Sequence, residues 1–347
     1  VNVVAGGTVS MPTGRTLPTF TVLNVDGTFD LAGTAQSIDA LNGSGVVRNN
    51  GANTTLTLGA AGGGGAFSGS INNGTGALSL RKDGAGRQIL AGGGNFSGAV
   101  EIFSGALRVT SNNALGASSG GTVLKGGTNT GVLELAGGIT LAEPITLEAR
   151  SSDFPTHLAN VSGNNTLSAN LRTLWGGLGY AIASDAGTLT LAGDVFYGDV
   201  QTYDRPLYFR GEGAGVINGV VRGNSGWDHN LFKTGGGTWT LMGGVAPSGA
   251  ASVATADVNV AGGLLVVRDR LPRGAINIDA GTLRLAGTGA GPSMTSATVT
   301  ALNVTGSGRL DLADQFLVVD YTGSSPISAI ESLLRTGRAG GAWNGTG

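Results

Sequence analysis

Short runs in which apolar and other residues alternate recur along the whole chain. The clearest are Gly27-Thr28-Phe29-Asp30-Leu31-Ala32-Gly33, Gly131-Val132-Leu133-Glu134-Leu135-Ala136-Gly137, Gly187-Thr188-Leu189-Thr190-Leu191-Ala192-Gly193 and Gly281-Thr282-Leu283-Arg284-Leu285-Ala286-Gly287. In each, two apolar residues two positions apart share one face and their neighbours the other, which is the period of a half-buried strand. Weaker copies end at Leu58, Leu80, Leu90, Val109, Leu241, Val267 and Leu312. Most steps between successive copies span 18 to 27 residues. One, from Leu80 to Leu90, is short, and those on either side of Leu191 are about twice as long.

Gly bounds each run and permits the positive φ of a tight corner. A strand of five residues cannot bury its apolar face alone, whereas coil stacked on coil places Leu over Leu and gives each backbone group a partner above and below. The pattern therefore predicts an all-β chain, a right-handed parallel β-helix (β-solenoid), over residues 1–320. A barrel or sandwich is the competing architecture and needs hairpins. The Asn-Gly pairs at 42–43, 73–74, 218–219 and 344–345 suit hairpins or corners between coils.

Two segments depart from the repeat. Residues 150–232 hold ten of the nineteen aromatic residues and both histidines, and read as coils carrying longer loops. The tail, 321–347, contains Ser325-Pro326-Ile327 through Arg335 and Gly337. Ser as N-cap, Pro at the first helical position, Ile327, Ile330 and Leu334 on one face and Gly just past the end predict a short helix that caps or links.

Composition narrows the function classes. Gly accounts for 65 of 347 residues, yet Pro is only 9 and 40% of residues are hydrophobic, so neither collagen nor a flexible linker fits. With 20 Lys+Arg against 22 Asp+Glu, there is no basic footprint for nucleic acid. No apolar run is long enough to span a bilayer as a helix. The absence of Cys removes disulfides and thiolate chemistry. Opening at Val1 without Met or a signal peptide, the chain reads as a processed or truncated product.

Residues 82–116 carry a longer phrase: Lys82-Asp83-Gly84-Ala85-Gly86, then Leu90-Ala91-Gly92, Asn95-Phe96-Ser97-Gly98, Gly105-Ala106-Leu107-Arg108-Val109 and Ala114-Leu115-Gly116. A second copy runs from Lys233-Thr234-Gly235 through Leu241 to Gly263-Leu264-Leu265-Val266-Val267, with no aromatic in its middle, at Val245-Ala246-Pro247-Ser248-Gly249. This phrase resembles the passenger-associated repeat of bacterial autotransporters, the autotransporter-associated β-strand repeat. The resemblance implies an exported protein of the bacterial cell surface or exterior that serves as stalk, adhesin or fibre, with no catalytic residues to carry over.

The expected function is thus that of a non-catalytic extracellular structural protein, a surface stalk or self-assembling fibre subunit. Unprotected strand edges at the ends of a solenoid template further strands. Val1, Val3, Ile327, Ile330, Leu334 and Trp343 are the candidate self-association residues. An adhesin binding glycan or a cell-surface protein is the alternative, with Trp175, Tyr180, Tyr197, Tyr203, Tyr208 and Trp227 as its contact surface, since Tyr and Trp stack on sugars and dominate interfaces. A polysaccharide lyase or hydrolase needs facing carboxylates. Asp153, Asp185, Asp194, Asp199, Asp204, Glu212 and Asp228 are available, with His157 and His229 as possible bases or ligands, but their spacing pairs none of them. No cofactor and no metal is expected.

Overall fold

The computed structural model describes residues 1–347 except 152–154, 197–204, 224–229, 248–255, 290, 292, 296 and 344. Its strands form a parallel β-solenoid, and every pairing between named strands is parallel. Each full coil contributes a strand to three faces in turn, as in Val22–Val25, Thr28–Asp30 and Gln36–Ile38, after which the chain returns to the first face at Ala40–Asn42. The first face then continues through the Gly43–Phe67 bridge to Arg87–Leu90, Ala106–Val109, Val132–Leu135 and onward to Ala301–Val304. The described Asn-Gly pairs turn no hairpin. Asn42 closes a strand and Gly43 bridges in parallel to the next coil, so these positions are corners.

The alternation in the sequence becomes the inward face of the stack. Phe29, Leu31, Leu133, Leu135, Leu189, Leu191, Leu283 and Leu285 are all buried. Each such side chain contributes roughly 1.5–3 kcal/mol through removal from water. One inward column on the first face runs Leu107, Leu133, Leu158, Ile182, Phe209 and Lys233.

The doubled steps around Leu191 resolve into two further coils, because Leu167 and Ile217 occupy the same column as Leu191 and Leu241. They escape the repeat because Asn165 and Gly215 stand where the phrase has its first apolar residue. Gly215 leaves room for its neighbour: a Cβ there would lie 2.3 Å from the ring of Trp239, which is fully buried.

The solenoid strands run to Val318–Val319, and a helix, α1, covers Ile327–Arg338. It starts one residue later than the sequence suggests, with Pro326 at the N-cap and the Ile327 N–H 3.4 Å from Ser325 Oγ. Gly337 lies inside the helix instead of just past it. The turn is closed by Ala339 in the left-handed region, its N–H donating to the Thr336 carbonyl. No α1 residue is fully buried.

Candidate functional site

Charge inside an apolar stack has to be neutralised or hydrogen-bonded, so the buried ionisable residues are the places to look for chemistry. Lys82 occupies an inward position between Leu58 and Ile102, and Lys233 one between Phe209 and Val260. Both are buried. The Lys233 ammonium donates to the carbonyls of Thr234 (2.9 Å), Gly235 (2.7 Å) and Gly262 (3.1 Å). That of Lys82 donates to the carbonyls of Asp83, Gly84 (2.9 Å) and Ser104 (3.2 Å).

In each cage the carbonyls come from the next two residues and from the corner of the following coil. The Gly two residues after the Lys turns the chain with a φ of +63° at Gly84 and +75° at Gly235. A Cβ at Gly84 would also sit 2.0 Å from the Gly59 carbonyl oxygen. The Lys-x-Gly start of the repeat is therefore a corner in which an ammonium ion satisfies carbonyls that the sheets leave unpaired. Burial pulls both ammonium groups down from 10.5 to about 8.

Arg150 and His157 form a second buried cluster. Arg150 donates to the carbonyls of Lys125, Pro155, Thr156 and Gly131. The His157 Nε2 lies 2.9 Å from the Glu148 carbonyl, and Nδ1 accepts the Ala181 N–H at 3.3 Å. Burial, and secondarily the Arg150 cation, pulls the imidazole down to about 3. Both ring nitrogens are engaged with backbone, and the ring has no exposure to solvent. His157 is thus a neutral core residue.

Glu143 is a buried acid held with little support. Burial pushes it up to about 7 against a single hydrogen bond from Thr122 Oγ1 (3.0 Å). Glu134, by contrast, receives Arg87 (2.8 and 3.1 Å) and Arg108 (2.7 Å) on the outside of the first face.

Of the carboxylates raised as acid/base candidates, Asp194 is committed to structure. Burial alone would raise its pKa, but the Val220 N–H (2.8 Å) and Arg222 (2.6 Å) outweigh burial and hold it below the usual range. Glu212 accepts the Gly236 N–H at 3.0 Å. Asp185 is shifted upward by burial, then by the charges of Glu134 and Glu212. Asp153, Asp199, Asp204, Asp228 and His229 lie outside the described residues. Among the described residues, no three His, Asp or Glu side chains gather in a metal-binding group.

The aromatic residues proposed as a contact surface separate in the structure. Trp175 is 71% exposed beside exposed Leu178. Tyr180 is fully buried, a correction to its place on that surface. Its ring packs in the core near His157, and its hydroxyl donates to the Leu174 carbonyl at 2.8 Å. Tyr208 is half-buried, its ring stacked on Phe232 with centroids 4.8 Å apart and the Arg210 guanidinium 4.8 Å from its centroid. Tyr197, Tyr203 and Trp227 lie outside the described residues.

Of the end residues, Val1, Ile327, Leu334 and Trp343 are exposed, and Ile330 is half-buried. Val3 is buried, because the first coil already turns it onto the core beneath Val25. Its side chain is not itself an exposed contact.

The chain matches no family model, no curated protein and no solved structure. No helix among the described residues is long and apolar enough to cross a membrane.

The caged lysines escaped the sequence reading as a site. The signal was present, since Lys82 and Lys233 are two of only three lysines and each precedes x-Gly at a strand end.

Proposed function

We propose that the chain is a non-catalytic structural protein of the bacterial exterior, a surface stalk or self-assembling fibre subunit whose working feature is the stacked rod. The observation that carries this reading is the use made of its buried charges. Lys82, Lys233 and Arg150 direct their donors to backbone carbonyls at coil corners, and His157 is locked between two backbone groups. Groups that elsewhere serve as nucleophile, base or anion site are here spent on holding one coil to the next. The exported, surface location rests on the resemblance of residues 82–116 and 233–267 to the autotransporter repeat. Negative-stain microscopy of the purified chain tests the reading. Straight rods that lengthen with concentration are expected for a fibre subunit, rods of fixed length for a stalk, and compact particles refute both.

An adhesin is the second reading, favoured by the exposure of Trp175 and Leu178. A glycan array decides it: binding that disappears with Trp175→Ala supports an adhesin, and binding indifferent to that change removes it.

A further inference from the structure

We propose that the second face of the solenoid, from the coil of Thr140 to that of Thr240, binds ice. This goes beyond the reading above. A stalk, a fibre or a lone rod would carry the face equally, so its failure leaves that reading as it stands.

Three observations converge on it. The first is an array in register. Outward positions of successive second-face strands stack Thr140, Thr166, Thr190, Val216 and Thr240 in one column. Two residues earlier on each strand, a second column runs Asn164, Thr188, Ala214 and Thr238. The alternate positions belong to the core, where Leu189 and Trp239 are fully buried. The pairings through Asn164–Leu167, Thr188–Leu191, Ala214–Ile217 and Thr238–Leu241 run without a bulge. Thr140 and Asn164 are exposed, and the other members of the two columns are half-buried. Every member of the first column branches at Cβ, which holds its methyl group in a stiff rotamer.

The second is the absence of charge. No member of either column is ionisable. Two residues beyond the first column, Ser168, Ala192, Asn218 and Met242 are exposed and uncharged as well. The charges of these coils stand elsewhere. Arg210 lies over Tyr208 on the outside of the first face, and Arg172 and Arg222 occupy outward positions on the third.

The third is the spacing. Parallel pairing sets the members of a column about 4.8 Å apart, and two residues along a strand set the columns about 6.7 Å apart. Water oxygens on the faces of ice repeat on a rectangle of nearly these dimensions. Methyl groups restrict the orientation of the water beside them, and the Thr hydroxyls hold that water by hydrogen bonds. The layer so ordered already has the pattern of the crystal and joins it.

Other occupants fit less well. Four coils of two columns cover roughly 200–300 Å², well short of the about 800 Å² per partner of a stable protein interface. No aromatic ring stands in either column, so the stacking platform on which sugars bind is missing.

The test freezes a solution of the full chain slowly onto a cold surface and reads its partition between ice and liquid, beside an ordinary soluble protein of similar size. The chain is expected in the ice at least about tenfold over that protein. Thr190→Lys, at the centre of the array, is expected to remove at least about tenfold of the uptake by setting a hydrated charge against the ice. Thr55→Lys, at an outward position of the third face, is expected to leave uptake unchanged. Melting temperatures of the two variants establish that both are folded. Thr190→Ser with Thr240→Ser deletes two methyl groups without adding charge, and should lower uptake at least about threefold. A chain excluded from ice like the comparison protein overturns the inference. Uptake that Thr190→Lys and Thr55→Lys change equally, or that the Ser pair leaves unchanged, also overturns it. Adsorption to crystalline cellulose or chitin by a chain that ice excludes overturns it in favour of a polysaccharide surface.

Discussion

Replacing Lys233 by Met keeps the length of the buried stem and deletes only the ammonium group. The carbonyls of Thr234, Gly235 and Gly262 lose a charged donor together. A buried acceptor left unsatisfied costs about 1–3 kcal/mol, so three amount to roughly 3–9 kcal/mol. Against this, the variant no longer carries the desolvation of a buried cation, a penalty of several kcal/mol. The balance is an expected loss of about 3 kcal/mol, concentrated in the coils that share the cage, because a solenoid couples mainly to its nearest neighbours.

Native-state hydrogen exchange on Leu231–Lys233 and Thr238–Leu241 measures that local opening. A loss of about 3 kcal/mol corresponds to exchange roughly 150-fold faster. Trp239, fully buried in the second of these strands with its indole N–H on the Arg210 carbonyl at 3.0 Å, provides a parallel fluorescence readout. Lys125→Met is the control. That ammonium is partly exposed and pairs with Glu148 at 2.8 Å, and its loss should cost about 1 kcal/mol or less. If the two substitutions have equal effect, the cage does not hold the corner and the argument fails.

Other predictions address pH and packing. Glu143, pushed up to about 7, binds a proton in the folded chain between about 4.5 and 7 while the unfolded chain does not, so its contribution makes stability fall as pH rises through that window. Glu143→Gln should remove this fall, seen as a higher melting temperature at pH 8 and little change at pH 4. His157, pulled down to about 3, acts in the opposite sense: the unfolded chain binds the proton between about 6.5 and 3, and stability drops on acidification across that range. A melting temperature flat from pH 6.5 to 4 in the Glu143→Gln background would contradict the buried neutral imidazole. Gly84→Ala forces a positive φ on a side chain whose Cβ would lie 2.0 Å from the Gly59 oxygen, so proteolysis near residues 59–84 should increase sharply; unchanged resistance would contradict the corner. Leu283→Ala should cost about 2.7–5 kcal/mol in denaturant unfolding, as expected for a fully buried Leu in a stack that cannot collapse around the cavity.

Much of the fold is legible in the order of residues because its determinant is local. Leu283 and Leu285 announce a strand and its buried face without reference to any other coil. The coils ending at Leu167 and Ile217 are hidden for a reason that is not local. Asn165 faces inward because its amide serves a corner, accepting the Gly138 and Ile139 N–H groups at 2.9 and 2.8 Å, and Gly215 is small because Trp239 of the next coil needs its volume. The lysine cages are hidden in the same way, since one carbonyl of each comes from 22 or 29 residues further along the chain. Tyr180 shows the converse: an aromatic residue in a segment rich in loops reads as surface, yet its strand, Tyr180–Ser184, is buried throughout.

The stacking of like on like has a consequence for how such a chain changes over generations. Leu107, Leu133 and Leu158 occupy successive places in one column, so Leu133 meets a residue of its own kind on both sides. Excising the stretch from Leu107 up to Leu133, one whole coil, would bring Leu133 to the place Leu107 held, against the same neighbour. Duplicating that stretch would likewise introduce no new type of contact. Length in this molecule is therefore inherited in discrete increments of one coil, and a lineage can lengthen or shorten the rod without redesigning its interior.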